Sequence, residues 1–436
     1  MIMIRRDFKQ TWELLRQNKT FSALYIAGTA VPLALTMLVV IWFHIRISPV
    51  YPELHRDNLY ELKRVTWYHD TGSMTSGTCS LPLIRDWFYP LQSAEAVTAI
   101  YYRNWSPSYI RLPDGVSEMA VRCKSTDPAF FKVFDFRFVD GGPFTEADLN
   151  NRRRCAVLAA STARRLFGTE QAAGRHFTMD YREYTVTGVV RDASTLTPLS
   201  FGQVYQPYSC LPDYEQMIRE TERPTGAFTA CFRTTGKEQA RRMLADIGNL
   251  VHRYNLSHAA EEDSLALMGP LPVWKSNLIP GKKATALRPF MLLAGGLIAL
   301  FLLVPALNLG GMIANRMEGR QAEMGICKAF GAGRNYLLRQ VIRENLLLTL
   351  AGGALGLVLS WGILALGSKW VFRMLDPFKF LQVDGVDILF TPSMLFSPRV
   401  FACAFLFCVV LNLASALIPA WKALRKPIVK SLNQKK

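Results

Sequence analysis

His252 and His258 lie shortly before Glu261, Glu262 and Asp263, residue types that can gather a metal ion. A structural or catalytic zinc site needs its ligands at fixed spacing, and no H-E-x-x-H or other ligand pattern is present, so no metal is expected. Serines are plentiful, but none sits in a G-x-S-x-G elbow that would expose a nucleophile. A phosphate-cradling loop needs G-x-x-x-x-G-K-[ST]; here Gly236 and Lys237 are followed by Glu238, and Cys231 stands where the first glycine belongs. No LSGGQ-like segment accompanies it. Of eight cysteines none forms a C-x-x-C pair, which argues against a thiol redox or zinc motif. Hydrolytic, redox and nucleotide-splitting chemistry are therefore not expected of this chain.

The elements that would carry any site are dominated by apolar runs. Four stretches free of Asp, Glu, Lys and Arg run Thr20 to Ile45, Pro289 to Asn315, Asn345 to Ser368 and Val400 to Trp421. About 20 helical residues cross a bilayer core, and none of these stretches has the polar face of a soluble core helix. The expected fold class is an α-helical membrane protein with four transmembrane helices, at 21–45, 289–315, 345–368 and 400–421. An α+β extracytoplasmic domain, 46–288, is inserted between the first two. The first run is too long for a signal h-region and ends in Trp42, Phe43 and His44 rather than a small-residue cleavage site.

Charge sets the orientation. Residues 1–20 hold five basic and two acidic side chains, 316–344 six and three, and the tail 422–436 six and none, together +12 of the net +17. Residues 44–288 are nearly balanced, with 30 basic and 26 acidic side chains. By the positive-inside rule the three basic segments are cytoplasmic, as are both termini, and the large domain is periplasmic in a bacterial inner membrane. The basic excess then reflects orientation and contact with membrane lipids, and nucleic acid is not an expected partner. Segment 1–20 has Phe8, Trp12 and Leu15 at helical spacing, as an amphipathic helix or an extension of the first span would. The loop 369–399 is too short for a domain of its own. Cys79, Cys123, Cys155, Cys210 and Cys231 fall in the outer domain, and their odd number leaves at least one thiol unpaired.

Within that domain, alternating runs predict strands at Leu59 to Val65, Val97 to Tyr102, Met119 to Cys123, Cys155 to Leu158, Tyr184 to Val190 and Ala227 to Arg233. Helical periodicity predicts Leu81 to Leu91, Ser161 to Phe167 and Lys237 to Tyr254, the last with Ala240, Met243, Leu244, Ile247, Leu250 and Val251 on one face. The order of elements implies one α+β unit with a β-rich insertion at about 127–212.

The segment between the second and third apolar runs is the most informative. A short helix, Gln321 to Phe330, is bounded by the turn Gly331-Ala332-Gly333, after which a helix resumes into the third run. A protein bound to that short helix would pull on both spans at once. In the third run, Gly352, Gly356 and Ser360 recur every four residues as a small-residue stripe, suited to close helix contact within the chain or across a dimer.

The stretch Arg320, Glu323, Met324, Gly325, Ile326, Lys328, Ala329, Phe330, Gly331 and Ala332 resembles the E-[IM]-G-[IL]-x-[KR]-A-x-G-A signature of MacB/FtsX-type ABC transporter permeases. Arg339, Gln340 and Glu344, the glycines 352, 353 and 356, and Pro419, Ala420 and Pro427 fit the same pattern. So do Val157, Leu158, Ala163, Leu166 to Gly168, Gly174, Arg175 and Tyr184 to Val189, which resemble the family's periplasmic core domain. The resemblance implies a non-catalytic permease that passes motion from a separate cytoplasmic ABC ATPase to the periplasmic domain. It implies that Arg320 to Ala332 is the docking segment and that ATP and Mg belong to the partner, with no cofactor in this chain. It further implies a second permease chain, as a homo- or heterodimer, and a periplasmic adaptor, lipoprotein or hydrolase as downstream partner. Efflux of peptides or drugs, lipoprotein extraction and hydrolase activation are the outputs compatible with it. The alternative is an ATPase-independent, membrane-anchored sensor or scaffold.

Overall fold

A computed structural model describes residues 19–69, 72–101, 106–221, 223–278, 287–319, 326–327, 329–375, 384 and 398–425. The chain divides into a helical unit (Met1–His44, Pro289–Val371 and Thr391–Lys436) and a second unit (Ile45–Arg288 and Phe372–Phe390).

Among the described residues the helical unit has four long helices: Lys19–Ile47, Leu287–Gly319, Arg334–Leu375 and Pro398–Arg425. The third starts eleven residues before the apolar run, because the charged helix predicted to lead into it is continuous with it. Tyr25, Ile313, Met317, Val341 and Leu348 form a shared core drawn from the first three helices. The hydroxyls of Tyr25 and Thr349 meet at 3.1 Å. Pro32 deprives the first helix of one backbone donor. One turn on, the Thr36 hydroxyl donates to the Pro32 carbonyl at 2.8 Å. Outward positions are apolar as well: Leu24, Leu292, Leu293, Val358, Leu366 and Leu406 are all more than half exposed. Apolar patches on this scale need apolar surroundings. Lys19–Ile47 and Asn335–Leu366 are long and apolar enough to cross a membrane, and Met291–Phe301 and Phe401–Ser415 are shorter apolar stretches among the described residues.

Among the described residues the second unit is a sixteen-stranded mixed sheet with helices against it. Its outer half holds β1 (Leu59–Leu62), β2 (Arg64–Tyr68), β3 (Met74–Cys79) and β4 (Ala96–Tyr101). Four late strands join them, β13 (Thr225–Gly226), β14 (Phe228–Arg233), β15 (Ser264–Met268) and β16 (Leu271–Pro272). The inserted half holds β5 (Ser108–Arg111), β6 (Glu118–Val121), β7 (Cys123–Thr126), β8 (Phe138–Gly141), β9 (Cys155–Ala159), β10 (His176–Met179), β11 (Arg182–Val190) and β12 (Val204–Pro207). β9 is buried along its whole length, as expected of a strand lying parallel to a neighbour, here β11. β5 and β6 pair with each other, and β5 also pairs with β10. The inserted half therefore begins near Ser108, not at 127: register, which composition does not report, assigns these two strands.

The two halves join through β4 and β7, where Ile100 opposes Thr126. Asp127 secures this seam by accepting four hydrogen bonds: from Tyr89 Oη (2.6 Å), Ala99 N (2.7 Å), Thr98 Oγ1 (2.8 Å) and Phe130 N (3.1 Å). Beside it Phe130, Phe134, Phe136 and Tyr205 cluster with ring centroids 4.8–5.6 Å apart. The helix Lys237–Ser257 buries Ala240, Met243 and Ile247 against the outer half, while Leu244 of the expected face is 38% exposed. The helix from Leu81 starts at Ser80, whose Oγ accepts from Leu83 N at 3.2 Å. It ends at Phe88, ahead of Pro90.

Lys124 in β7 is buried, with Nζ donating to the carbonyls of Pro198 and Leu199. Burial pushes its ammonium down to about 7. The unfolded chain then binds more protons than the folded one from about pH 7 to the ordinary lysine range, so stability rises with pH across that window. Between pH 7 and 9 the gain is expected to be about 2 kcal/mol, with Lys124→Met removing it. Melting temperatures of the two purified chains at both pH values check this.

Candidate functional site

The motif between the second and third long helices is described from Ile326 to Ala332, apart from residue 328; Arg320, Glu323, Met324, Gly325 and Lys328 lie outside the described residues. Ile326 and Phe330 are four residues apart, and Phe330 N donates to Ile326 O at 3.1 Å, one turn of helix. Both side chains face solvent, Phe330 at 89% exposure. Ala329 is exposed too. Gly331 then takes a φ of +87°, a left-handed conformation that ends helices and that side-chain-bearing residues rarely adopt. Ala332 N closes the turn on Cys327 O at 3.0 Å, and the third long helix begins at once. Sequence alone placed this turn; the outward aim of Ile326 and Phe330 it did not show, because an i, i+4 apolar pair reads equally well as core.

In the third helix the small-residue stripe faces the first helix of the same chain. A Cβ on Gly352 would stand 2.8 Å from Thr29 Cβ and 3.1 Å from Ile26 O; one on Gly356 would stand 2.8 Å from Ala30 O. Ser360 is fully buried and donates to Leu357 O of its own helix at 2.8 Å.

A second constellation sits where the first long helix enters the outer unit, and no sequence motif announced it. Arg56, 1% exposed, donates through Nη1 to the carbonyls of Ile45 (2.7 Å), Arg46 (3.2 Å) and Ser48 (2.8 Å). These include the orphan carbonyls of the helix end, where a cation is favoured by the helix dipole. Its Nε donates to Glu53 Oε2 at 2.9 Å, and Glu53 Oε1 accepts from Ser200 Oγ at 2.9 Å. Arg46 in turn donates to Asn277 O at 2.9 Å. Asn277 belongs to the short helix Val273–Leu278, the last described element before the second long helix. Ser276 of that helix donates to Glu61, and Lys63 donates to Ser276 O at 3.0 Å. Burial pushes the Glu61 carboxyl up. The chain entering the outer unit and the chain leaving it are thus clasped side by side by charged hydrogen bonds.

A cavity of about 1160 Å³ opens beside β2 and β3, lined by Lys63, Arg64, Trp67, Thr78, Asp213 and Glu220. Among the described residues no group of three His, Cys, Asp or Glu is placed to hold a metal; His252 and His258 are not brought together with acids. All five outer-domain cysteines are buried free thiols. Burial raises each of them, Cys79 to about 12 and Cys210 to about 11, which keeps them protonated and unreactive.

Residues 22–248, more than half the chain, match the MacB-like periplasmic core domain, and residues 295–428 match the FtsX-like permease C-terminal domain. An uncharacterized ABC transporter permease of Bacillus subtilis, YvrN, is 24% identical over 308 residues, covering 70% of this chain and 68% of that one. The pyoverdine export ATP-binding/permease protein PvdT of Pseudomonas syringae is 24% identical over 311 residues, 70% of this chain. The match spans only 42% of that ATP-binding/permease relative's length. The crystal structure of the periplasmic region of MacB from Actinobacillus actinomycetemcomitans aligns with a TM-score of 0.31 and 14% identity, over 47% of this chain and 88% of that one.

Proposed function

Because the chain belongs to the MacB/FtsX-type permease family, a family of membrane proteins with a periplasmic α/β domain, we propose that it is the non-catalytic permease of an ABC system whose ATPase is a separate cytoplasmic chain. In this reading four helices cross the bacterial inner membrane, both termini are cytoplasmic and two permease chains associate. ATP and Mg are held by the partner ATPase.

The observation that carries the reading is the exposed pair Ile326 and Phe330 on a one-turn helix, joined by a rigid turn to a long helix. An exposed phenylalanine flanked by small residues is a natural anchor for a pocket on a partner, where a few aromatic contacts dominate binding. Closure of paired ATPases would tilt this turn, and the long helices would carry the displacement to the clasp at Arg56 and Asn277. The clasp suits transmission because it ties both ends of the periplasmic domain together, so the domain moves as a body. The output is work on a periplasmic partner: export of a peptide or drug-like cargo, extraction of a lipoprotein, or activation of a hydrolase. The export named for PvdT favours the first.

Phe330→Asp combined with Ile326→Asp is expected to lower recovery of the ATPase in a detergent pulldown at least tenfold, since two charges would face an apolar pocket. Charge reversal at Arg320 and Lys328 is expected to act in the same direction. Unchanged co-purification in both variants would overturn the docking assignment.

A further inference from the structure

β6 ends the sheet: β5 pairs with one side of it, and among the described residues no strand covers the other. An uncovered edge presents backbone donors and acceptors that must find a partner. Asp384 supplies it. Asp384 N donates to Ala120 O at 2.8 Å, and Ala120 N donates to Asp384 Oδ2 at 2.9 Å. The carboxylate thereby takes the place that a neighbouring strand's carbonyl would fill. Gln203 adds a third bond, its Nε2 donating to Asp384 O at 2.9 Å.

Gln203 is 5% exposed, and its amide is oriented from the other side, since its Oε1 accepts from Arg122 N at 2.8 Å. With the oxygen engaged there, the NH2 group has to be met by an acceptor, and a buried amide donor left unmet would be costly. The edge of β6 and Gln203 together thus read a backbone N–H, a backbone carbonyl and a carboxylate two atoms from the chain.

We propose that the β6 edge and Gln203 form a docking site for this chain's own segment at Asp384, which tethers the connection between the third and fourth long helices to the inserted half of the periplasmic domain. The domain then has a third attachment, in addition to the two chain crossings clasped at Arg56 and Asn277. The docking stands on these contacts alone; its use in passing motion rests on the permease reading above.

The test is a disulfide in the full-length chain. Asp384 N lies 2.8 Å from Ala120 O, and this backbone contact brings the two residues near enough for a disulfide to form between cysteines placed there. Ala120→Cys with Asp384→Cys should therefore bridge within one chain on mild oxidation of membranes, seen as the joined peptide by mass mapping. Bridging should exceed that of a control pair, Val116→Cys with Asp384→Cys, by at least fivefold. Bridging no better than the control, or bridging found only between two chains, would overturn the proposal. A bridged chain whose ATPase stimulation and transport are unaltered would refute the tether's mechanical role while the docking stands. Failure of the permease reading is seen separately, in the Phe330 pulldown.

Discussion

Arg56→Ala is expected to destabilise the periplasmic domain by about 3–5 kcal/mol, the cost of removing one partner of a buried ion pair. Glu53, fully buried, would be left with only Ser200 as a side-chain partner. The carbonyls of Ile45, Arg46 and Ser48 would lose a shared donor at the same time. For a domain of this size the melting temperature of the purified chain should fall by roughly 10 °C. Arg56→Lys should recover only part of this, because an ammonium cannot present a planar fork to a carboxylate and a row of carbonyls at once. The double variant Arg56→Met with Glu53→Gln should be less destabilised than Arg56→Ala, since the uncompensated charge is gone. If Arg56→Ala melted with the parent chain, the network would not be what holds the helix end to the domain.

Gly356→Leu should have a comparable effect in the helical unit. Any Cβ at Gly356 falls 2.8 Å from Ala30 O and 3.2 Å from Ala30 Cα and Leu33 Cβ. Two of these atoms are backbone and cannot rotate aside, so the first and third helices must separate. Loss of their contact, including the Tyr25–Thr349 hydrogen bond, is expected to cost about 2–3 kcal/mol and to deplete folded chain from the membrane. Gly362→Leu, six residues on in the same helix, is the control: nothing lies within 4 Å of a Cβ there. The contrast is read from folded yield in detergent by size exclusion. Equal behaviour of the two variants would show that the stripe does not seat on the first helix.

Hydrophobic patterning made the helices legible, because a long apolar run has few other uses, and it made β4, β9, β11 and β14 legible to within two residues. It failed in instructive places. β2 and β3 form a hairpin whose second strand reads Met-Thr-Ser-Gly-Thr-Cys, too polar to announce itself, since most of that strand is solvent-exposed or half-exposed. β12, Val-Tyr-Gln-Pro, is fully buried but is recognised only through its parallel partner β7 and antiparallel partner β9. Periodicity places Leu244 inside, yet it is 38% exposed, because the buried stripe of its helix is narrow, Ala240, Met243 and Ile247 alone. At the candidate site, the turn after Phe330 was written in glycines. The Arg56 clasp was not legible: an arginine three residues after a glutamate is a common surface pair, and only the fold buries it. The same is true of Asp384, whose partners Ala120 and Gln203 lie far away along the chain.

The pairing of β1 sets an order of assembly. Among the described residues Leu59–Leu62 finds its ladder partners only in Phe228–Arg233 and Leu271–Pro272, and β2 pairs with Ser264–Met268. As the chain is made from its N-terminus, those early strands appear with no late strand to meet, whereas β5 to β12 already carry all the pairings they share. The inserted half can thus close first, and the outer half waits with bare edges until the final segment arrives. A chain truncated anywhere before Phe228 should therefore keep the pairings of β5 to β12 while the edges of β1 and β2 stay bare.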